Sequence, residues 1–202
     1  MDWRWEHSIY NVSLHHHWVG SLFHGIEQAS IPVMVVITAV LWFLARPGAD
    51  SKWKLACGSA YLSAAIAYVA AFVVHHLYDR PRPYEAHPSL PHPWSSSTDA
   101  SFPSDHTSLS FAIAFAVLMF DGVAGAIFLV VAAIIGVGRL FIGAHYPGDV
   151  AAGVLVGLAA ALVVVRLLRP LVARVVGLVE RVSDPLVRPL WRRRAGEAPA
   201  RP

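Results

Sequence analysis

The sequence predicts an all-α integral-membrane helical bundle, with about five transmembrane helices and an amphipathic interfacial helix at each end. Two features of composition predict this fold class. Hydrophobic residues make up 56% of the 202 residues and charged residues only 14%, whereas an ordinary soluble domain carries about 25% charged residues. The hydrophobic residues are also gathered into long runs with few charges. So few charged side chains argue against a soluble globule, and the hydrophobic content argues against a disordered chain.

Five apolar stretches supply the predicted spans. They cover residues 31–45, 55–74, 107–120, 123–138 and 150–165. Several are shorter than the ~20 residues of a perpendicular span, so we expect their polar flanks and helix ends to complete the crossing. Together they define a predicted transmembrane core over residues 30–168.

The two ends of the chain are predicted to lie at the membrane surface. Within residues 1–29, apolar side chains recur at roughly helical spacing over residues 9–26, which favours an amphipathic interfacial helix. Residues 169–202 form a basic tail with apolar spacing, which is typical of a helix on an anionic lipid surface. The histidines at 15, 16 and 17 could bind a metal ion, but a solvated polar face is the better interpretation, because no carboxylate or cysteine accompanies them.

The distribution of positive charge predicts an orientation. If the N-terminus lies outside and five spans follow, twelve of the 16 Lys and Arg residues fall on the inner side, and all 11 His residues fall outside. This distribution follows the positive-inside rule. The net charge of +3 then reports orientation rather than binding to nucleic acid. We therefore expect a multi-pass protein of the plasma membrane, with its C-terminus in the cytoplasm.

Two arginines open the long loop of residues 78–102. Arg80 and Arg82 lie at the outer end of the second predicted span. Long loops within compact bundles are often functional. Alternatively, arginines at the end of a span extend their side chains to the lipid headgroups. Both are candidates for binding an anion.

A second cluster, Pro-Ser-Asp-His at residues 103–106, comes directly before the third predicted span. Ser104 has N-cap chemistry, and the N–H groups of the first helical turn would then form an anion site. His106 stands in that turn, where it could donate a proton to a leaving oxygen. A plain capped helix with an exposed histidine is the alternative.

A third cluster lies between the fourth and fifth predicted spans. Pro147 suits the first turn of the fifth helix, and Asp149 lies in the same turn. We expect His145 to lie close enough for Asp149 to hold one imidazole nitrogen, which leaves the other as a nucleophile or base. Arg139 ends the fourth span and offers a fixed fork of donors for an anion.

Successive spans alternate in direction, so all three clusters are predicted to meet at the outer ends of helices. Together they provide anion donors, a His–Asp nucleophile and a His acid. They lack the carboxylate cluster that a divalent metal needs. The reaction class that fits is phosphoryl transfer through a phosphohistidine, without a metal or another cofactor.

Residues 75–149 resemble the three-part signature of the type 2 phosphatidic acid phosphatase superfamily. These are membrane lipid phosphatases that share their site with vanadium haloperoxidases. The family's first motif is Lys, six residues, then Arg-Pro. Residues 75–83 match it with Arg82 and Pro83 in place, but His75 stands at the Lys position.

The second and third motifs also match with one departure each. The family's Pro-Ser-Gly-His is found at residues 103–106 with Asp105 in place of Gly. The family's Ser-Arg, five residues, His, three residues, Asp is found at residues 138–149 with Gly138 in place of Ser. All three motifs stand in order, which makes the resemblance specific.

The resemblance implies roles for the site residues. His145 would attack phosphorus, Asp149 would orient it, and His106 would protonate the leaving group. The residues implied in binding the phosphate oxygens are Arg82, Ser104, Arg139 and the backbone N–H of Asp105, with His75 and Arg80 as further candidates. A carboxylate beside a phosphate site should be paired, so we expect Asp105 to form an ion pair with Arg80 or Arg139.

The small size, Asp105 and the missing lysine resemble the bacterial branch that dephosphorylates undecaprenyl diphosphate. This implies hydrolysis of the terminal phosphate of a polyprenyl diphosphate on the extracytoplasmic face. The alternatives are a phosphatase of phosphatidylglycerophosphate, phosphatidate or a related phospholipid, and a non-catalytic lipid-binding or transport protein. The expected partners are the lipid phosphate substrate and membrane lipids, and not nucleic acid.

Overall fold

A computed structural model describes residues 2–45 and 51–196 of the chain. Helices account for most of these residues, and no strand occurs among them. The predicted all-α fold class is therefore confirmed. Part of the first predicted inner loop, residues 46–50, and the end of the basic tail, residues 197–202, lie outside the described residues.

The helices are numbered here in chain order. They are α1 (Asp2–His15), α2 (His17–Leu44), α3 (Ser51–Leu77), α4 (Pro83–Ala86), α5 (Asp105–Leu118), α6 (Gly122–Phe141), α7 (Pro147–Leu162) and α8 (Arg169–Gly196). A turn of π-helix, Val163–Leu167, leads from α7 towards α8.

Within the described part of the chain, four helices are long and apolar enough to cross a membrane. They are α2, α3, α6, and α7 together with the π-helical turn. The shorter apolar helix α5 has 14 residues and packs against α3, α6 and α7. These five helices correspond to the five predicted spans.

Close contact between α5 and α7 depends on small residues. A Cβ added to Gly153 would lie 2.8 Å from the carbonyl oxygen of Ser104, and one added to Gly157 would lie 2.8 Å from the backbone nitrogen of Ala112. Larger side chains would push the helices apart. The two glycines therefore hold the start of α5 against α7, where the second and third motifs meet.

The N-terminal helices differ from the prediction. We predicted an interfacial helix over residues 9–26 and a membrane core from residue 30, but the chain breaks at His16 and then forms α2 without interruption from His17 to Leu44. The polar residues His24, Glu27 and Gln28 made the apolar stretch look shorter than the helix. In the structure they line a cavity within the bundle, so they do not end the helix.

Helix α8 is anchored to the end of the bundle that lies opposite His75 on α3. The side chain of Lys54, near the start of α3, is buried and forms ion pairs with Glu180, at 3.3 Å, and with Asp184 of α8. Trp42 of α2 also donates a hydrogen bond to the Ser183 hydroxyl, at 3.3 Å. The part of the predicted basic tail up to Asp184 is therefore a helix packed on the bundle, and the helix continues to Gly196.

Candidate active site

The three predicted clusters meet at one end of the bundle. Arg82 lies just before α4, Ser104 caps α5, and His145 lies between α6 and α7. The backbone N–H of Ser104 donates to the carbonyl oxygen of Asp149 at 3.1 Å, which joins the second cluster to the third. The Arg82 guanidinium lies 3.5 Å from the imidazole of His145, which joins the first cluster to the third.

The turn that carries His145 depends on Gly143. Its φ of 68° places it in the left-handed region, which glycine adopts without strain. A Cβ there would lie 2.8 Å from the ring of Tyr10 in α1. Any other residue at this position would strain the backbone and collide with α1.

His145 is fully buried, and its hydrogen bonds define the state of its two nitrogens. Nδ1 lies 2.8 Å from the carbonyl oxygen of Ser101, so Nδ1 carries the proton and donates it. Nε2 then bears a lone pair and accepts a hydrogen bond of 3.0 Å from Arg139. Burial, followed by the positive charge of Arg139, lowers the pKa of His145 to about 4. At neutral pH the imidazole is therefore uncharged and carries a lone pair on Nε2.

Asp149 supports this imidazole indirectly. We predicted that its carboxylate would hold a nitrogen of His145, but the two groups are 3.8 Å apart. The carboxylate instead accepts hydrogen bonds from the Ser101 hydroxyl at 2.6 Å and from the backbone N–H of Tyr146 at 2.9 Å. Asp149 therefore fixes Ser101, whose carbonyl oxygen in turn fixes His145.

Ser101 is a site residue that the sequence did not reveal. It is completely buried, and its backbone N–H donates to the carbonyl oxygen of Arg80 at 2.7 Å. In the sequence it is one of several serines in the loop before Pro103, and nothing in its spacing separates it from the others. Its role follows only from the folded path of the loop.

Arg82 is buried and held by backbone oxygens. Its Nε donates to the carbonyl oxygen of Asp99 at 2.8 Å, and one Nη donates to that of Ala144 at 3.4 Å. Its backbone N–H donates to the Glu85 carboxylate at 2.9 Å. These bonds fix a guanidinium beside Nε2 of His145, and a guanidinium in this position is able to bind a phosphate oxygen.

Arg139 flanks the same nitrogen from α6. Its side chain is 3% exposed and forms an ion pair with Glu27 of α2, in addition to its hydrogen bond to His145. The sequence analysis did not identify Glu27. One signal was available, because Glu27 is the only acidic residue between Glu6 and Asp50.

The second motif forms the start of α5, as predicted for an N-cap. The Ser104 hydroxyl is buried and accepts from the backbone N–H of Thr107 at 3.5 Å and from its hydroxyl at 3.0 Å. The hydroxyl of Ser104 therefore closes the first helical turn. Whether it also contacts phosphate, as the family resemblance implies, stays a prediction.

The predicted ion pair of Asp105 with Arg80 or Arg139 is wrong. The Asp105 carboxylate accepts from the backbone N–H of His106 at 2.8 Å and lies 3.1 Å from its Nδ1. Its short side chain bends back onto its own helical turn, while Glu27 pairs with Arg139 and other carboxylates pair with Arg80. Asp105 therefore orients the imidazole of His106 through its Nδ1.

Arg80 is directed away from the imidazole of His145. It donates to the Asp149 carboxylate at 2.6 Å and to that of Asp2 in α1 at 2.8 Å, and its guanidinium lies 4.1 Å from the centre of the Tyr146 ring. Asp2 also accepts from the backbone N–H of Gly148 at 3.0 Å. These contacts suit a positioning role better than the predicted phosphate contact.

His75, which stands at the family's Lys position, contacts the second motif. Its Nε2 lies 2.8 Å from the carbonyl oxygen of Pro103. It lines a cavity of about 250 Å³ together with Asp79 and Asp105. His75 therefore supports the backbone just before Ser104.

A larger cavity of about 500 Å³ is lined by Arg82 and Arg139, the two arginines that contact Nε2 of the buried His145. Its charged and polar lining includes His24, Glu27, Gln28, Arg82, Asp105, His106 and Arg139. The two arginines and His106 therefore face one space, where a phosphoryl group can be bound and its leaving oxygen protonated. Among residues 2–45 and 51–196, no three His, Cys, Asp or Glu side chains are grouped to hold a metal ion.

The sequence matches a known protein family and several curated proteins. The sequence model of the PAP2 superfamily matches residues 56–172. The undecaprenyl-diphosphatase BcrC of Bacillus subtilis is 29% identical over 191 residues, which cover 90% of this chain and 93% of that protein. The bacitracin transport permease protein BcrC of Bacillus licheniformis is 34% identical over 125 residues, which cover 62% of this chain and 60% of that protein.

A solved structure shares the fold. It is the PAP2-type phosphatidylglycerolphosphate phosphatase of Bacillus subtilis, with a TM-score of 0.59 and 21% sequence identity. The similarity covers 79% of this chain and 82% of that one. The two chains therefore share the arrangement of their helices.

Proposed function

We propose that this chain, which belongs to the PAP2 superfamily and is a membrane lipid phosphatase, hydrolyses the terminal phosphate of a polyprenyl diphosphate. The expected lipid is undecaprenyl diphosphate. The observation that carries the chemistry is the neutral imidazole of His145, whose Nε2 lies 3.0 Å from Arg139 and 3.5 Å from Arg82. A nucleophilic nitrogen between two phosphate-binding cations favours attack on phosphorus.

In the first step, Nε2 of His145 attacks the terminal phosphorus. The N–P bond forms as the bond from phosphorus to the bridging oxygen breaks, and His106 gives its proton to that oxygen. The products are the lipid monophosphate and a phosphohistidine. Arg82 and Arg139 stabilise the negative charge that gathers on the phosphoryl oxygens.

In the second step, water attacks the phosphohistidine. His106, now unprotonated, takes a proton from the water as the O–P bond forms and the N–P bond breaks. Inorganic phosphate leaves, and both histidines return to their starting states. The hydrogen bond from Nδ1 of His145 to the Ser101 carbonyl, at 2.8 Å, holds the ring in one orientation through both steps.

The choice of lipid is supported by the Bacillus subtilis relative, which is named as an undecaprenyl-diphosphatase and aligns over 93% of its length. The positive-inside distribution supports a site that faces the extracytoplasmic side. This would suit a reaction on lipid carriers exposed at the outer membrane surface. Labelling of single cysteines placed at each end of the bundle in intact cells would test the orientation.

The reaction is tested by release of phosphate from purified lipids in detergent. The panel comprises undecaprenyl diphosphate, phosphatidylglycerophosphate and phosphatidate, and we expect the diphosphate to be cleaved with the highest kcat/KM. Preference for one of the phospholipids would leave the mechanism intact and reassign the substrate. No phosphate release from any lipid would contradict the proposal.

Two variants test the chemistry within the same assay. His145→Ala should abolish turnover, and His106→Ala should lower it by about 10²–10⁴, the usual contribution of a general acid. With radiolabelled substrate, an acid-labile label should remain on the wild type and be absent from His145→Ala. His76→Ala is the matched control, because His76 is exposed on α3 and has no part in the mechanism.

A further inference from the structure

Glu27 brings a carboxylate into the phosphate site. It lies on α2, outside the residues 56–172 that the family model matches. Its side chain is 18% exposed, and it forms an ion pair with the buried guanidinium of Arg139. Glu27 and Arg139 line the same cavity as His106.

The ion pair with Glu27 occupies a guanidinium N–H donor of Arg139 that the proposed mechanism assigns to a phosphoryl oxygen. One Nη of Arg139 points at His145, and the other faces Glu27. A carboxylate and a phosphate present similar pairs of oxygens to a guanidinium. Glu27 therefore lies where a phosphoryl oxygen would bind.

The structure also offers Glu27 a second partner. Nδ1 of His24, one turn earlier on α2, lies 3.5 Å from the other carboxylate oxygen of Glu27. Nε2 of His24 lies 3.0 Å from the side-chain nitrogen of Gln28, which holds the ring at the cavity wall. His24 is therefore a partner for the carboxylate when it leaves Arg139.

We propose that Glu27 occupies the phosphate position on Arg139 in the substrate-free enzyme, and that an incoming phosphoryl group displaces it towards His24. This rests on the proposed function, because it assigns Arg139 to phosphate binding. The displaced carboxylate stays near the phosphoryl group and repels it. Glu27 thereby weakens the binding of phosphate groups in general.

The consequence differs for substrate and product. A polyprenyl diphosphate also gains binding free energy from its hydrocarbon tail, which offsets the displacement of Glu27. Inorganic phosphate has no tail, so it binds weakly and leaves. Glu27 therefore limits inhibition of the enzyme by inorganic phosphate.

The test measures inhibition by inorganic phosphate and the thermal shift that phosphate produces in detergent. In Glu27→Gln the buried guanidinium loses its anion, so phosphate should bind about 10- to 100-fold more tightly, the range expected for a hydrogen bond to a charged group. The phosphate-dependent rise in Tm should be larger than in the wild type. The KM for the lipid should fall.

Glu180→Gln is the matched control. It removes the charge of a carboxylate that is paired with a buried cation, Lys54, at the end of the bundle opposite the site. Its phosphate affinity should equal that of the wild type. Unchanged or weaker phosphate binding by Glu27→Gln would overturn the proposal and would mean that Glu27 only holds Arg139 in place.

A second variant covers the case in which Glu27→Gln does not fold. Glu27→Asp keeps the charge but is one methylene shorter, so it reaches Arg139 less well and should also bind phosphate more tightly. Unchanged or weaker binding would again overturn the proposal. The thermal shift measures phosphate binding without turnover. It therefore tests the role of Glu27 even if the wild type cleaves none of the lipids. Failure to cleave any lipid would contradict the proposed function only.

Discussion

The guanidinium of Arg80 donates a 2.6 Å hydrogen bond to the carboxylate of Asp149. Asp149 is completely buried, and Arg80 is 23% exposed. A buried carboxylate needs such a partner, because removal from water is costly for an unpaired charge. The pair lies behind the imidazole of His145, and through Ser101 it fixes the orientation of that ring.

Arg80→Ala should therefore lower kcat and leave the KM for the lipid nearly unchanged. It should also lower the free energy of unfolding by about 1–3 kcal/mol, which is less than for a fully buried pair because Arg80 is partly exposed. Arg80→Lys should restore part of kcat. The measurements are steady-state kinetics on the lipid substrate and denaturation in detergent.

Arg174→Ala is the control for Arg80, since Arg174 is exposed on α8. It should change neither kinetic parameter. A raised KM with an unchanged kcat in Arg80→Ala would contradict the positioning role. That result would favour the role predicted from the sequence, in which Arg80 binds phosphate directly.

Asp105 should act through His106. The Asp105 carboxylate lies 3.1 Å from Nδ1 of His106. Asp105→Ala should therefore lower kcat by about 10-fold, which is a smaller loss than the one expected for His106→Ala. Asp105→Asn keeps a hydrogen-bond acceptor and should recover part of the loss. In the His106→Ala background, Asp105→Ala should add almost nothing, and an additive effect would contradict this role.

His75 should matter through the backbone of the second motif. Its Nε2 lies 2.8 Å from the carbonyl oxygen of Pro103, so His75→Ala should lower both kcat and the Tm. His75→Gln can still donate to that carbonyl and should restore activity better than Ala does. Kinetics at one pH with thermal unfolding would test this, and equal activity of wild type and His75→Ala would refute it.

Much of the site could be predicted because its motifs stand at helix ends. Ser104, Pro147 and the apolar stretches around them place His106 and His145 at one end of a bundle by local rules alone. Arg82 and Arg139 follow from the same alternation of helix direction. These predictions depend on a few neighbouring residues, so they do not require the tertiary structure.

The charge pairing could not be predicted in this way. Which carboxylate meets Arg139 depends on how α2 packs against α6, and the sequence places Glu27 about a hundred residues away. The same holds for Asp2, which reaches Arg80 from α1. Spacing along the chain therefore identified the cations and left their partners undetermined.

Activity should persist in EDTA. Arg82 and Arg139 flank the nucleophilic nitrogen and supply the positive charge that a divalent ion would otherwise provide. The rate of phosphate release should be the same before and after chelation and dialysis. A large loss that a metal ion restores would show a divalent site, and variants of His15, His16 and His17 would then identify its ligands.

The last prediction concerns Glu6, whose side chain is completely buried in α1. Among the described residues, neither oxygen of its carboxylate has a hydrogen-bond partner. Burial, with a smaller contribution from the charge of Asp2, raises the pKa of Glu6 from 4.5 to about 8. Between pH 4.5 and about 8, Glu6 therefore keeps its proton in the folded protein and has lost it in the unfolded chain.

This difference sets the sign of a pH dependence. Between pH 4.5 and about 8 the folded state binds more protons than the unfolded state, so the contribution of Glu6 to stability decreases as the pH rises. Glu6→Gln has no proton to lose, so its Tm in detergent should fall less than that of the wild type over this range. The Tm of Glu180→Gln, a variant at the opposite end of the bundle, should change with pH as the Tm of the wild type does. Parallel Tm curves for the wild type and Glu6→Gln would contradict a buried, protonated Glu6, because the charged form would then be tolerated equally in both states.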